Sequence, residues 1–162
     1  MRRALLLAAV AVAAALATQP LGAAVPKHGT LVPGHSLGGM RLGASPADVR
    51  ARFGTDYGVC HGCPLRTWYF NYEPLMPQGV AVAFRRSRVV AVYTLWQPAG
   101  WRTAGGLLLG APVRSLPPLP RVPCRDYRAL VAHTPGAVTA YYVVGGKLWG
   151  FGLLRPGIAV CR

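Results

Sequence analysis

The sequence predicts an α+β fold: two tandem repeats, each a short helix followed by an antiparallel β-meander, together forming one curved sheet. Three observations predict it. Gly39-Met-Arg-Leu-Gly43-Ala44 recurs as Gly106-Leu-Leu-Leu-Gly110-Ala111, and the run from Val80 to Leu95 recurs from Thr139 to Leu154. The first pair is offset by 67 residues and the second by 59, so the copies agree at their ends and differ by eight residues in the middle. A period of this size marks a repeated supersecondary unit. The third observation is a helix-start signal in the first copy, whose place in the second is taken by prolines. The expected organisation is a signal peptide over 1–24, an extended lead-in over 25–35, repeat one over 36–98 and repeat two over 99–162.

Arg2-Arg3 precedes an unbroken apolar run from Ala4 to Ala17, with small-residue cleavage sites at Ala15-Leu16-Ala17 or Gly22-Ala23-Ala24. This is the pattern of an export signal, and fourteen apolar residues fall short of the ~20 that span a bilayer. The first cysteine is Cys60, far from the cleavage sites, which argues against a lipid anchor. The expected product is a secreted protein with no membrane span after cleavage.

Ser45-Pro46-Ala47-Asp48 opens the helix with a Ser cap, Pro at the first position and an acid in the first turn. Val49 and Phe53 share a face, and Gly54 ends the helix after about two turns. Strands follow over Thr67 to Tyr72, Val80 to Arg85 and Arg88 to Trp96, then Ala129 to His133, Ala137 to Val144 and Lys147 to Leu154. Gly145-Gly146 suits a two-residue type I′ turn. Pro112, Pro117, Pro118 and Pro120 abolish or shorten the second helix.

With two-residue loops, Arg85 pairs with Arg88 and Ala83 with Val90, leaving Phe84, Val89, Val82 and Ala91 facing the core. The same register in the second copy puts Val143, Leu148, Tyr141 and Gly150 on the core side. Tyr142, Trp149, Phe151 and Lys147 then share the opposite face. Two readings of those aromatics stand: a protein-binding strip, or the true core of repeat two.

Lys and Arg number 18 against four acids; removing residues 1–24 takes two arginines and leaves 16 − 4 = +12. Such a charge attracts polyanions or an acidic protein. Sixteen of the 18 bases are Arg, alongside heavy Ala, Gly and Pro, a compositional bias rather than a site. No basic run exceeds Arg85-Arg86 with Arg88 following, so no specific nucleic-acid binding is expected. Four cysteines in an exported chain imply disulfides with three possible connectivities, of which Cys60–Cys63 with Cys124–Cys161 is favoured.

Several constellations resemble catalytic ones and are outweighed. Gly34-His35-Ser36-Leu37-Gly38 matches a nucleophile elbow, yet about ten residues after the expected cleavage are too few to supply its flanking strand, and no helix follows. Asp126 and His133 follow in hydrolase order but only seven residues apart. Cys60-His61-Gly62-Cys63 has redox spacing, but Pro64-Leu65-Arg66 leads into a strand and not a helix. Zinc would need ligands beyond this pair and His61. The acids Asp48, Asp56, Glu73 and Asp126 show no paired-carboxylate spacing. No enzyme, cofactor or metal is expected.

The segment Gly39-Met-Arg-Leu-Gly43-Ala-Ser-Pro-Ala-Asp-Val49-Arg-Ala-Arg-Phe53-Gly54, followed by a β-meander, resembles one known module. It is similar to the repeat of the secreted β-lactamase-inhibitory protein and of the small envelope lipoproteins that assist outer-membrane assembly. The resemblance spans about residues 36–162 as two copies. It implies a continuous curved sheet whose open face binds another protein, without implying β-lactamase as the target.

The expected function is therefore a monomeric, non-enzymatic binding module for an extracellular or envelope protein, possessing Tyr142, Trp149, Phe151 and Lys147 as contact residues. Arg85 and Arg88 would steer an acidic partner. The alternatives are a charge-driven binder of anionic cell-wall polymer and an extracytoplasmic thiol–disulfide protein.

Overall fold

The computed structural model describes residues 25–162, so the expected signal peptide over 1–24 lies outside the described residues. The fold is α+β and mostly strand. In chain order the elements are β1 (Thr30–Val32), β2 (Ser36–Leu37), α1 (Pro46–Phe53), β3 (Gly58–Val59), β4 (Arg66–Asn71), β5 (Gly79–Arg85), β6 (Arg88–Leu95), β7 (Arg102–Thr103), β8 (Arg121–Pro123), β9 (Arg128–Thr134), β10 (Ala137–Val144) and β11 (Lys147–Leu154).

Helix α1 starts where its sequence signals indicate. Ser45 Oγ accepts from the Asp48 backbone N–H at 3.2 Å, and Asp48 Oδ2 accepts from the Ser45 N–H at 2.8 Å. This reciprocal box satisfies two donors that a helix start leaves orphaned. The bonds from Ser45 hold the Asp48 carboxyl below its usual range. Val49 and Phe53 are buried against the sheet, which stabilises a helix too short to stand alone.

Eight strands form one sheet in the order β3-β4-β5-β6-β11-β10-β9-β8. Each half therefore runs outward from the central β6–β11 pair, in which Tyr93 lies opposite Gly152 and Val92 opposite Leu153. The recurring Gly-Ala dipeptides do the same job in both halves. Gly43 N–H bonds Val89 O at 2.8 Å and Val89 N–H bonds Ala44 O at 2.9 Å; Gly110 N–H bonds Leu148 O at 2.7 Å and Leu148 N–H bonds Ala111 O at 2.9 Å. Both glycines have left-handed φ, 87° and 90°, the region where a Cβ is disfavoured.

The expectation of one sheet is incomplete. The lead-in, read as merely extended, supplies β1 to a second, three-stranded sheet of order β2-β1-β7, with β1 parallel to β7. This sheet caps the fully buried Trp101. A Cβ on Gly29 would stand 2.5 Å from that indole and one on Gly38 2.8 Å from it, so the glycines are where close approach requires them. In the second half, the proline-rich stretch contains only the three-residue 3-10 turn Val113–Ser115 in place of a helix. Leu107 and Leu109 before this stretch, and Val113 and Leu116 within it, pack on the core instead.

The hairpin registers differ from the expected ones in the same way twice. Both turns are two-residue and left-handed, with φ of 49° and 56° at Arg86-Ser87 and of 55° and 76° at Gly145-Gly146. After the first two pairs each hairpin has a β-bulge. Phe84 pairs with Val89 but Ala83 with Ala91, leaving Val90 over; Val143 pairs with Leu148 but Tyr142 with Gly150, leaving Trp149 over. One extra residue reverses the facing of everything beyond it. Val92 thus joins the main core with Val82, and Ala91 leaves it.

Both faces of the large sheet are buried. The main core lies under α1 and the small sheet and includes Trp68, Phe70, Phe84, Tyr141 and Phe151. On the other face a second cluster stands on small residues, among them Ala81, Ala83, Ala91, Ala129 and Ala140. Strands buried on both faces read as continuous apolar runs rather than alternating ones, which is the pattern of Val80-Ala-Val-Ala-Phe84.

Candidate functional site

The face away from α1 carries the features that suit recognition, and the chain's own C-terminal segment packs on it. After β11 the segment 155–162 turns back across it. Ile158 is buried in the second cluster, the Tyr142 hydroxyl donates to Val160 O at 3.2 Å, and Cys161 is bonded to Cys124. The guanidinium of Arg162 lies over the Tyr93 ring at 4.9 Å. This strap crosses the face, touching Tyr93 of β6 at one contact and Tyr142 of β10 at another.

Tyr142 is consequently 3% exposed and is no contact residue in this arrangement. Its ring lies across β11, where a Cβ on Gly152 would stand 2.6 Å from the hydroxyl and one on Gly150 3.2 Å from the ring. Burial pushes its phenol above the usual range. Phe151 is 0% exposed and belongs to the opposite face, 6.1 Å from Tyr141 in an edge-on contact. The bulge at Trp149 is the reason. The expected strip of Tyr142, Trp149, Phe151 and Lys147 is thus divided: Lys147 is exposed at the hairpin end, Trp149 is half-buried in the bulge, and the other two are buried.

What the structure brings to Trp149 is a residue that the sequence places only at the end of a strand. Trp96, 55% exposed, packs on Trp149 with ring centroids 5.8 Å apart. Its backbone is left-handed, φ 52°, which costs a non-glycine residue on the order of 1 kcal/mol. The strand-end position of Trp96 gave no sign of this; only the bulge register puts it beside Trp149.

Next to this pair, the half of the face built from β4–β6 holds a groove of about 690 Å³. Tyr69, Tyr93, Leu65, Leu95 and Ile158 line it, with Arg85 and Arg162 at its margin. Burial, and after it the neighbouring Tyr69, pushes the Tyr93 phenol above its usual range. Both disulfides stand at its walls through Cys63 and Cys161, and the Tyr69 hydroxyl is 3.6 Å from Cys63 Sγ. Arg85 and Arg88 are exposed at the β5–β6 turn, where Arg85 joins this groove to a second pocket.

The catalytic look-alikes are placed as follows. Ser36 lies in the two-residue strand β2 and not at a strand-to-helix turn, with His35 exposed beside it. The glycine before it is held to β10, Gly34 N–H donating to Thr139 Oγ1 at 2.8 Å. Cys60 and Cys63 form a disulfide three residues apart, in a loop leading into β4. Asp56, Glu73 and Asp126 are exposed. Among the described residues no group of three or more His, Cys, Asp or Glu stands together as a metal site. Among them, too, no helix is long and apolar enough to cross a membrane.

No protein-family model matches the chain, and no curated protein matches it. Among solved structures it is similar to an extracellular protein containing an SCP domain from Bacillus anthracis, with a TM-score of 0.53 and 10% identity. The likeness covers 71% of this chain but 44% of that one, so this chain spans less than half of that protein's length. At this identity the comparison shows a shared fold.

Proposed function

We propose that this chain is an exported, non-enzymatic module that recognises an extracellular or envelope protein through the tryptophan pair and the tyrosine-lined groove on the sheet face away from α1. The observation that carries the reading is the Trp96–Trp149 pair, an exposed tryptophan held in a strained backbone against a second one. Exposed Trp beside Tyr and Arg is the composition of interface hot spots, and strain concentrates at functional positions. Arginines at the groove margin favour an acidic partner.

The repeat reading is part of the proposal. Matching Gly-Ala bonds, matching bulges and the mirrored strand order support two copies of one unit, akin to the inhibitory-protein module. Export is supported by two disulfides, which persist in oxidising compartments, and by the extracellular nature of the structural neighbour.

Affinity capture from culture supernatant and envelope extract tests the function, with native protein beside a Trp96→Ala/Trp149→Ala variant. The expected outcome is a discrete protein retained by the native bait at high salt and lost by the variant. Capture of salt-released polymer alone, equal for both baits, would replace this reading with the charge-driven one. That second reading draws its support from the arginines grouped around the β5–β6 turn.

A further inference from the structure

Beside the tyrosine groove lies a separate pocket of about 500 Å³ lined by Arg85, Arg86, Arg88 and Arg155, with Val90, Pro156 and Ile158 as its apolar part. None of its lining residues is acidic. Two of the guanidiniums converge on one glycine. Arg88 Nη1 donates to Gly43 O at 3.4 Å, and Arg155 Nη2 lies 3.0 Å from where a Cβ of Gly43 would stand. The acid that feels Arg88, Asp48, has its carboxylate engaged by the Ser45 N–H and hydroxyl, each at 2.8 Å. Asp48 offsets part of the charge of Arg88; the remaining like charges repel, and an anion bound between them removes that cost.

The turn itself points the same way. Arg86 and Ser87 occupy left-handed positions that the equivalent hairpin gives to Gly145-Gly146, the residues such a turn favours. Around those positions the first hairpin has Arg85, Arg86 and Arg88 where the second has Val144, Gly145 and Lys147. Turn propensity has been given up for positive charge directed at one pocket. Arg155 is brought in from beyond β11 by its backbone N–H, which donates to Val90 O at 2.8 Å at the bulge.

We propose that this pocket is an oxyanion site for a phosphate group. The four arginines that line the pocket carry more charge than one carboxylate balances, because a carboxylate has two oxygens and a single charge. A phosphate monoester or diphosphate has three or more terminal oxygens and a charge nearer −2, and can accept from several planar forks at once. The site stands apart from protein recognition at Trp96 and Trp149, although Arg85 and Ile158 line both it and the groove.

The test is a titration of the disulfide-bonded protein with inorganic diphosphate at fixed chloride, followed by the arginine side-chain N–H resonances and by calorimetry. Binding should saturate at Arg88 and Arg155 and should weaken at least about tenfold in Arg88→Gln/Arg155→Gln, the loss of two charge-assisted contacts. It should change less than about twofold in Arg121→Gln/Arg128→Gln, which removes the same net charge elsewhere. Should the first variant not fold, Arg86→Gly is the substitute, since it relieves the turn while removing one guanidinium. Sedimentation with phosphatidic acid vesicles, against phosphatidylcholine vesicles, separates the sources. Retention by the former that Arg88→Gln/Arg155→Gln abolishes identifies a lipid headgroup; diphosphate binding without retention identifies a soluble or polymer-borne phosphate. The proposal is overturned by unsaturable binding, by equal binding of acetate, by equal weakening in the control variant, or by vesicle retention indifferent to the pocket variant.

Discussion

Tyr142 shows how one side chain can be turned from a surface anchor into a structural bolt. It reaches across the neighbouring strand because β11 offers Gly150 and Gly152 beneath it, and its hydroxyl then meets Val160 O of the strap. Its phenol and that of Tyr93 are both pushed above the usual range by burial, which outweighs the opposing charge of Arg162. The sign of the consequence follows from which state holds the proton. The folded protein keeps these phenols protonated at a pH where the unfolded chain ionises them. Their contribution is therefore complete below the unfolded value of about 10 and is lost as the pH rises past it. Denaturant unfolding of native protein should weaken steadily above about pH 10, whereas Tyr142→Phe, less stable at neutral pH for want of its hydrogen bond, should weaken less steeply over that range. An ultraviolet titration should show Tyr93 and Tyr142 ionising only with unfolding. Equal pH slopes for the two proteins would mean that Tyr142 is open to solvent.

At the scale of the element, the two hairpins are the same device with different turns. Arg86 in a left-handed turn costs on the order of 1 kcal/mol relative to glycine, so Arg86→Gly should raise stability by about that amount while weakening diphosphate binding. A variant that is both less stable and unchanged in binding would remove turn strain as an argument. The hairpins also mark where the sequence ceased to be legible. Helix α1 was readable because Ser45, Pro46, Asp48 and Gly54 act on their own neighbours, and the long strands because apolar runs need no partner to be recognised. The bulges at Val90 and Trp149 are set by partners far away, Gly43-Ala44 and Gly110-Ala111, which clamp the residue just before each bulge. No local signal counts that extra residue, yet it moved Phe151 to the main core and left Trp149 to meet Trp96. The arginines at the first turn needed no register to be noticed, and the hint of Tyr142's burial lay in the alternation Gly150-Phe151-Gly152 opposite it. The small sheet went unread because β1, β2 and β7 have only two or three residues each, too few for any period.

At the scale of the molecule, the two halves begin alike and are closed differently. Cys60 follows β3 and Cys124 follows β8, the outermost strands of the sheet. Cys60 takes a partner three residues away, while Cys124 takes one 37 residues away in the strap. In the loop-entropy account the short closure stabilises by about 2 kcal/mol and the long one by about 4. The difference is positional as well as energetic, because the long bridge fastens the strap that forms one wall of the groove. Cys124→Ser/Cys161→Ser should therefore do two things that Cys60→Ser/Cys63→Ser does not. It should cost about 4 kcal/mol in denaturant unfolding, and it should release residues 155–162, seen as faster amide exchange there and as a Tyr142 that ionises before the sheet unfolds. The groove should lose Ile158 and Arg162 from its wall at the same time, so partner capture should fall although Trp96 and Trp149 are untouched. If capture survives release of the strap, recognition resides in the tryptophan pair alone and the groove is only the space left beside it.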